Sequence, residues 1–160
     1  MNVYIRPLRE SDALISCKWR NDPDVWTYTG ARPDRYITEE IELEWIRQVL
    51  KDETSRRFAI CVTDTHEYIG NVQLTDIDND SAQFHIFIGN KSYWGKGVST
   101  LVTNLLLTFA RSNLKLNKIY LYVNKENVAA IRSYEKNGFK VVSSCDKDIR
   151  MEVDIFSGND

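Results

Sequence analysis

"YWGKGVSTLVTNLLLTFA" occupies Tyr93–Ala110, and the rest of the chain can be read outward from it. It opens on a tight glycine loop, Gly95-Lys96-Gly97. From Val98 onward apolar residues recur at Leu101, Val102, Leu105, Leu106, Phe109 and Ala110. That spacing predicts an amphipathic helix. "SAQFHIFIG" precedes the loop and reads as a strand, with Phe84, Ile86 and Ile88 on one face and His85 and Phe87 on the other. "KIYLYVN" (Lys118–Asn124) follows the helix. It is apolar on both faces, as a central strand covered on both sides should be. A strand, a crossover helix and a second apolar strand make a parallel βαβ unit.

Working outward, "VYIRPL" alternates and ends at proline, which predicts a short strand. Ser11 or Asp12 then caps a helix carrying Leu14, Ile15 and Trp19, stopped by Asn21-Asp22-Pro23. Thr38 starts a second helix, with apolar residues Ile41, Trp45, Ile46, Val49 and Leu50. "RRFAICVTD" and "EYIGNVQLTDID" read as antiparallel strands joined by a turn at Asp64-Thr65-His66. After Asn124, "ENVAAIRSYEKNGFK" reads as a helix closed by Gly138, with strand candidates at Phe139–Ser143 and Ile149–Phe156. The expected fold is α/β (α+β), a mixed sheet of about seven strands with about four helices in one domain, residues 1–160.

Bulk properties narrow the function. A chain of 160 residues with 42% hydrophobic and 28% charged residues suits one soluble domain with its own core. The net charge of −2 supplies no general field for nucleic acid or an anionic membrane. No apolar run is long enough to span a bilayer, and no signal-peptide pattern opens the chain. Cys17, Cys61 and Cys145 are odd in number and widely spaced. They fit neither a disulfide framework nor a zinc site, so no metal is expected, and they read as buried or half-buried thiols in a reducing cytoplasm.

A glycine-lysine loop at a helix start suggests a bound phosphate. A nucleotide-triphosphate loop needs G-x-x-x-x-G-K-[ST]. Here Gly89 and Gly95 enclose five residues, and Gly97 follows Lys96, so the metal-binding hydroxyl is misplaced. The dinucleotide pattern G-x-G-x-x-G also fails, because Val98-Ser99-Thr100 follows Gly97. What remains is a helix N-terminus whose unpaired N–H groups and dipole can hold a pyrophosphate without metal. A plain tight turn would read the same.

A second constellation lies one βα unit later: Asn127, Ala130, Tyr134, Gly138 and Phe139 in "NVAAIRSYEKNGF". With the upstream loop, it resembles the GNAT superfamily of acetyl-CoA-dependent N-acetyltransferases. The resemblance is to the branch holding ribosomal-protein N-terminal, polyamine and amino-sugar acetyltransferases. It covers most of the chain and is strongest over Ser81–Phe139. It implies a splayed sheet with acetyl-CoA as co-substrate in the gap, and no metal. The family's pyrophosphate loop, Q/R-x-x-G-x-G/A, falls on Trp94, Gly95, Lys96, Gly97, Val98 and Ser99, with Thr100 next. Gly97 matches; Trp94 and Ser99 depart from the pattern. The resemblance further implies that Phe87 and Ile88 pair with the pantetheine arm through their backbone. It implies that Asn127 bonds the cofactor from the other side, and that Tyr134 is the general acid. Expulsion of a thiolate calls for such a donor, and a tyrosine, weaker than a thiol by about 1.5 units, keeps its proton until needed. On helix spacing alone, Tyr134 equally fits a core aromatic.

No dedicated base stands out. His85 has a suitable ordinary pKa but also fits a sheet histidine, and water can relay the proton. The acceptor amine is expected near "WRNDPDVWTYTGARPDRY", where Trp26, Tyr28 and Arg32, with His85 on the strand, are the candidate contacts. Aromatics beside arginines suit a ring and a phosphate, as in an amino-sugar nucleotide. A protein N-terminus is also open. A polyamine remains an alternative, because Glu39, Glu40, Glu42 and Glu44 lie close by. A non-catalytic acyl-CoA-binding module is a further alternative. The protein is expected to act as a monomer or homodimer.

Overall fold

The computed structural model describes residues 1–27 and 33–156. In chain order its elements are β1 (Val3–Pro7), α1 (Ala13–Arg20), α2 (Glu39–Leu50), β2 (Arg56–Val62), β3 (Tyr68–Thr75) and β4 (Ser81–Ile88). Then come α3 (Val98–Ser112), β5 (Lys118–Asn124), α4 (Val128–Lys136), β6 (Lys140–Cys145) and β7 (Asp148–Asp154). The strands form one sheet in the order β1-β2-β3-β4-β5-β7-β6. Every pairing is antiparallel except β4 with β5, which α3 connects as the βαβ reading required. Among the described residues, no helix is long and apolar enough to cross a membrane.

The β4–β5 ladder is short. It joins Ser81, Ala82 and Gln83 to Lys118, Ile119 and Tyr120, and then the strands part. On its outer side each strand remains fully paired, β4 to β3 as far as Ile88 and β5 to β7 as far as Asn124. The sheet is therefore two well-laddered halves hinged at three residue pairs, with a gap beyond.

Strand alternation gives the sheet two faces. Ile60, Val72, Leu74, Phe84, Ile119, Leu121 and Met151 meet Val102, Leu106 and Ala110 of α3 together with Tyr134 and Phe139. On the opposite face, Ala59, Cys61 and Tyr68 meet Trp19 of α1 and Ile46 of α2. The expected helix stripes are each partly rotated. In α3, Thr103 and Leu107 are buried in place of Leu101 and Leu105, which are exposed. In α1, Ala13 and Ser16 turn inward beside Trp19 while Leu14 and Ile15 face out. Asp12 does not cap α1 with its side chain. Instead it is buried, takes both arms of Arg6 at 2.7 and 2.9 Å, and accepts the Arg9 N–H. The expectation that β5 is covered on both faces also fails. Tyr122 is exposed, because α1 and α2 reach only the β1–β4 half of their face. Of the cysteines, Cys61 is buried and Cys17 half-buried, but Cys145 is exposed.

Gly89, whose spacing to Gly95 does not fit a phosphate loop, has a packing role. A Cβ there would lie 1.9–2.3 Å from the indole of Trp19. Gly89→Ala is expected to destabilise the domain by about 1–3 kcal/mol through overpacking, read as a lower denaturant midpoint. An unchanged midpoint would show that Trp19 moves aside freely.

Candidate active site

The loop before α3 has the conformation its glycines permit. Gly95 and Gly97 sit at φ 72° and 79°, in the left-handed region. A Cβ at either would meet nothing within 4 Å, so the glycines answer to backbone conformation and leave open space above the helix end. Gly97 is the N-cap of α3, no side chain caps the helix, and its first turn carries no acid. The N–H groups of Val98, Ser99 and Thr100 therefore have no intrahelical acceptor and point into a favourable dipole field. Buried Val98 anchors this end. The hydroxyls of Ser99 and Thr100 are tied to α4 through Ser133, at 3.2 and 3.0 Å, and Asn137 donates to the Thr100 carbonyl. Lys96 is exposed at the rim. Trp94, also exposed, donates its indole N–H to the Ile88 carbonyl at 2.8 Å.

Register determines which backbone groups of β4 face the gap. The Gly89 N–H donates to the Ile69 carbonyl, and the β3–β4 pairing continues in step from there. In such a ladder alternate residues spend their N–H and C=O on the same neighbour. Gln83, His85 and Phe87 are thus bound to β3, while Phe84, Ile86 and Ile88 turn theirs toward β5. This corrects the expectation for Phe87. Its backbone is consumed by β3, and Ile86 takes its place beside Ile88. Trp94 satisfies the Ile88 carbonyl, so Ile88 offers its N–H to the gap and Ile86 offers both groups. Ile86 was missed because alternation shows which side chains share a face, whereas backbone direction needs the pairing partner.

Tyr134 lies beneath the gap. Its ring packs edge-on against Phe84 at 5.9 Å and Phe139 at 5.7 Å. Burial pushes its hydroxyl up to about 12, so it is protonated at any physiological pH. Among the described residues the hydroxyl has no hydrogen-bond partner. It is not sealed in either: among the described residues, the fully buried side-chain polar atoms without partners are Ser16 Oγ and Arg57 Nε. Asn127 caps α4, its Oδ1 accepting from the Ala130 N–H at 3.3 Å, which leaves its amide N–H₂ for another acceptor.

A family model for the acetyltransferase (GNAT) domain matches residues 2–140. The chain belongs to the GNAT acetyltransferase family. This acetyltransferase is 33% identical over 143 residues to spermidine N(1)-acetyltransferase of Escherichia coli K12, covering 88% of this chain and 74% of that protein. It is 29% identical over 141 residues to the acetyltransferase PseH of Campylobacter jejuni, covering 88% and 84%. The crystal structure of Vibrio cholerae spermidine N-acetyltransferase in complex with CoA and spermine superposes with a TM-score of 0.83 at 26% identity, over 95% of each chain.

In this acetyltransferase the opposite face of β4 carries the candidate acceptor contacts. His85 lies there, away from Tyr134, its Nε2 2.9 Å from Thr75 Oγ1. Burial and the nearby Arg57 charge lower its pKa, so the neutral ring is favoured. Phe87 packs against Trp19 and Trp26. Trp26 is held by its indole N–H on the Arg20 carbonyl at 2.9 Å. Tyr28 and Arg32 lie outside the described residues. Glu42 is buried and paired to Arg20 at 3.0 Å, so that acid already has a cation.

Two measurements follow from this geometry. Gly97→Val should weaken acetyl-CoA binding by about 10-fold or more, because a β-branched residue resists positive φ and would project into the anion space. Equal affinity by calorimetry would remove the loop from the site. Second, the depressed His85 pKa means the unfolded chain takes up this proton first as pH falls. Stability should therefore fall as pH drops through the ordinary histidine value of 6.5, and His85→Gln should remove that component of the pH profile. A profile the same in both proteins would contradict the burial of His85.

Proposed function

We propose that this cytoplasmic enzyme moves the acetyl group of acetyl-CoA to a primary amine, with Tyr134 as general acid. The observation that carries the reading is the unpartnered Tyr134 hydroxyl beneath a gap that Ile86 and Ile88 line with free backbone groups. The residues present fit the co-substrate. The loop Trp94–Thr100 supplies N–H groups and open space for a pyrophosphate, and the gap takes an extended arm as if it were one more strand. Asn127 offers its amide from the α4 side. An exposed free thiol at Cys145 suits a reducing compartment.

Acetyl-CoA supplies an activated acyl thioester. The amine nitrogen bonds to the acetyl carbon as the carbon–sulfur bond breaks. The Ile88 N–H, aimed into the gap, stabilises the oxygen that gains charge. Tyr134 delivers its proton to the departing sulfur and recovers one from solvent. The proton lost by the amine leaves on the opposite face, to water or to neutral His85. Because Tyr134 and the phosphate loop share one face, the amine approaches from the other, past Trp26, Phe87 and His85.

For the acceptor, the reading favoured is an amino sugar carried on a nucleotide. Trp26, Phe87 and Arg20 border the approach, and Glu42 beside them is neutralised by Arg20. A polyamine is the second reading, supported by the likeness to spermidine acetyltransferases, and exposed Glu39 and Glu40 leave it some charge. A protein N-terminus is a third acceptor class for the same screen. The spermidine N-acetyltransferase of Vibrio cholerae is described as dodecameric, so assembly beyond the expected monomer or dimer belongs with the polyamine reading.

Thiol release from acetyl-CoA across amino-sugar, polyamine and peptide amines tests the reaction. Tyr134→Phe should lower turnover by about 10²-fold or more with acetyl-CoA affinity kept. Unchanged turnover would sink the general-acid assignment. No alkaline loss from Tyr134 is expected until pH approaches about 12.

A further inference from the structure

Beyond the gap, β5 and β7 carry a preassembled surface that α1 and α2 do not reach. On the face shared with His85, β5 presents Lys118, Tyr120 and Tyr122, while Ile119, Leu121 and Val123 are buried on the other. In register beside them on β7 stand Arg150, opposite Tyr122, and Glu152, opposite Tyr120. The Arg150 guanidinium lies over the Tyr120 ring at 4.1 Å and near the Tyr122 ring at 5.5 Å. Its Nη1 donates to the Tyr122 hydroxyl at 2.7 Å and its Nε to Glu152 at 2.8 Å. Lys118 holds the other Glu152 oxygen at 3.4 Å. The guanidinium is thus fixed on one side by an aromatic ring, while its Nη2 has no partner among the described residues. Tyr122 is 52% exposed. The β6–β7 connection is only Asp146 and Lys147, so no long loop is available there to fold over the surface.

Position and chemistry together suggest a ligand. Tyr122 stands on the strand that walls the gap opposite His85 and Phe87, and Arg150 lies one strand spacing farther out, about 4.8 Å. The surface begins where the transferred acetyl group emerges and leads away from it. An amine that carries a planar ring can lay that ring here while its nitrogen lies at the gap. A guanidinium already stacked on tyrosine accepts a second planar ring on its open side and donates to a carbonyl or phosphate oxygen.

We propose that Tyr122 and Arg150 form the subsite for the base of a nucleotide-linked acceptor. This rests on the acceptor class favoured above. The test uses UDP, CDP and GDP as probes, avoiding ADP because it overlaps the cofactor. At least one should bind by calorimetry and inhibit turnover of glucosamine, or of whichever amine the screen finds, competitively with the amine and not with acetyl-CoA. Arg150→Met and Tyr122→Ala should each weaken that binding about 10-fold, and Arg150→Lys should weaken it nearly as much because the plane is lost. The KM for acetyl-CoA and turnover of the small amine should stay within about two-fold. Absence of binding by all three nucleotides, or equal binding in wild type and variants, would overturn the proposal. So would a shift in sedimentation of the Arg150→Met protein, which would make the surface a contact between copies. Calorimetry needs no turnover, so an enzyme that acetylates no amine would count against the reaction while leaving the subsite separately measured.

Discussion

Three residue pairs between β4 and β5 carry the whole arrangement. A parallel ladder that ran the full length of both strands would satisfy every backbone group and close the sheet. Here it stops at Gln83 and Tyr120, while β3 and β7 go on holding the outer edges. Unpaired N–H and C=O groups are costly when buried, so a split sheet is tolerable only where water or a ligand can reach the strands. Below the split, Phe84, Tyr134 and Phe139 fill the space with packed aromatic rings. The gap thus has a hydrophobic floor with one tyrosine hydroxyl in it.

The same split divides the chemistry between two faces. α3 and α4 bring the glycine loop, Asn127 and Tyr134 to one side, and hydroxyl contacts from Ser133 in the last turn of α4 to Ser99 and Thr100 at the start of α3 tie the loop to the helix that carries Tyr134. The other side carries Trp26, Phe87 and His85. The two faces communicate at the opening between β4 and β5. Buried Trp19 connects the halves of this plan. It packs on Gly89, just past the end of β4, and on Phe87 and Tyr68 from above.

Burial acts on two titratable side chains, Tyr134 on one face of the sheet and His85 on the other. Removing water disfavours a tyrosinate and a histidinium alike, so Tyr134 keeps its proton while His85 tends to lose one. That is the division a reaction needs when it protonates a leaving group on one face and deprotonates an amine on the other. It arises from desolvation first, with the Arg57 charge reinforcing it at His85.

Much of this was legible from the chain alone. Alternation in β4, the helical stripe after Gly97 and the apolar run of β5 specified a parallel βαβ unit, because periods of 2 and 3.6 residues are local properties of backbone geometry. A tight glycine loop before the helix was readable from Gly95 and Gly97, whose positive φ the structure then supplied, and Asn127 and Tyr134 were marked by their motif. Other features depended on which neighbour each element met. Leu101, Leu105, Leu14 and Ile15 face out because helix rotation is set by the surface a helix packs on, and an apolar residue does not encode that surface. Ile86 replaced Phe87 as a gap-facing backbone because hydrogen-bond direction depends on strand register. Tyr122 and Arg150 came together only through the antiparallel pairing of strands 28 residues apart in the chain at that point. The sequence determined the elements and the residues capable of the chemistry. Only the tertiary structure decided which groups remain unpaired, since that depends on the partners each strand and helix acquires across the sheet.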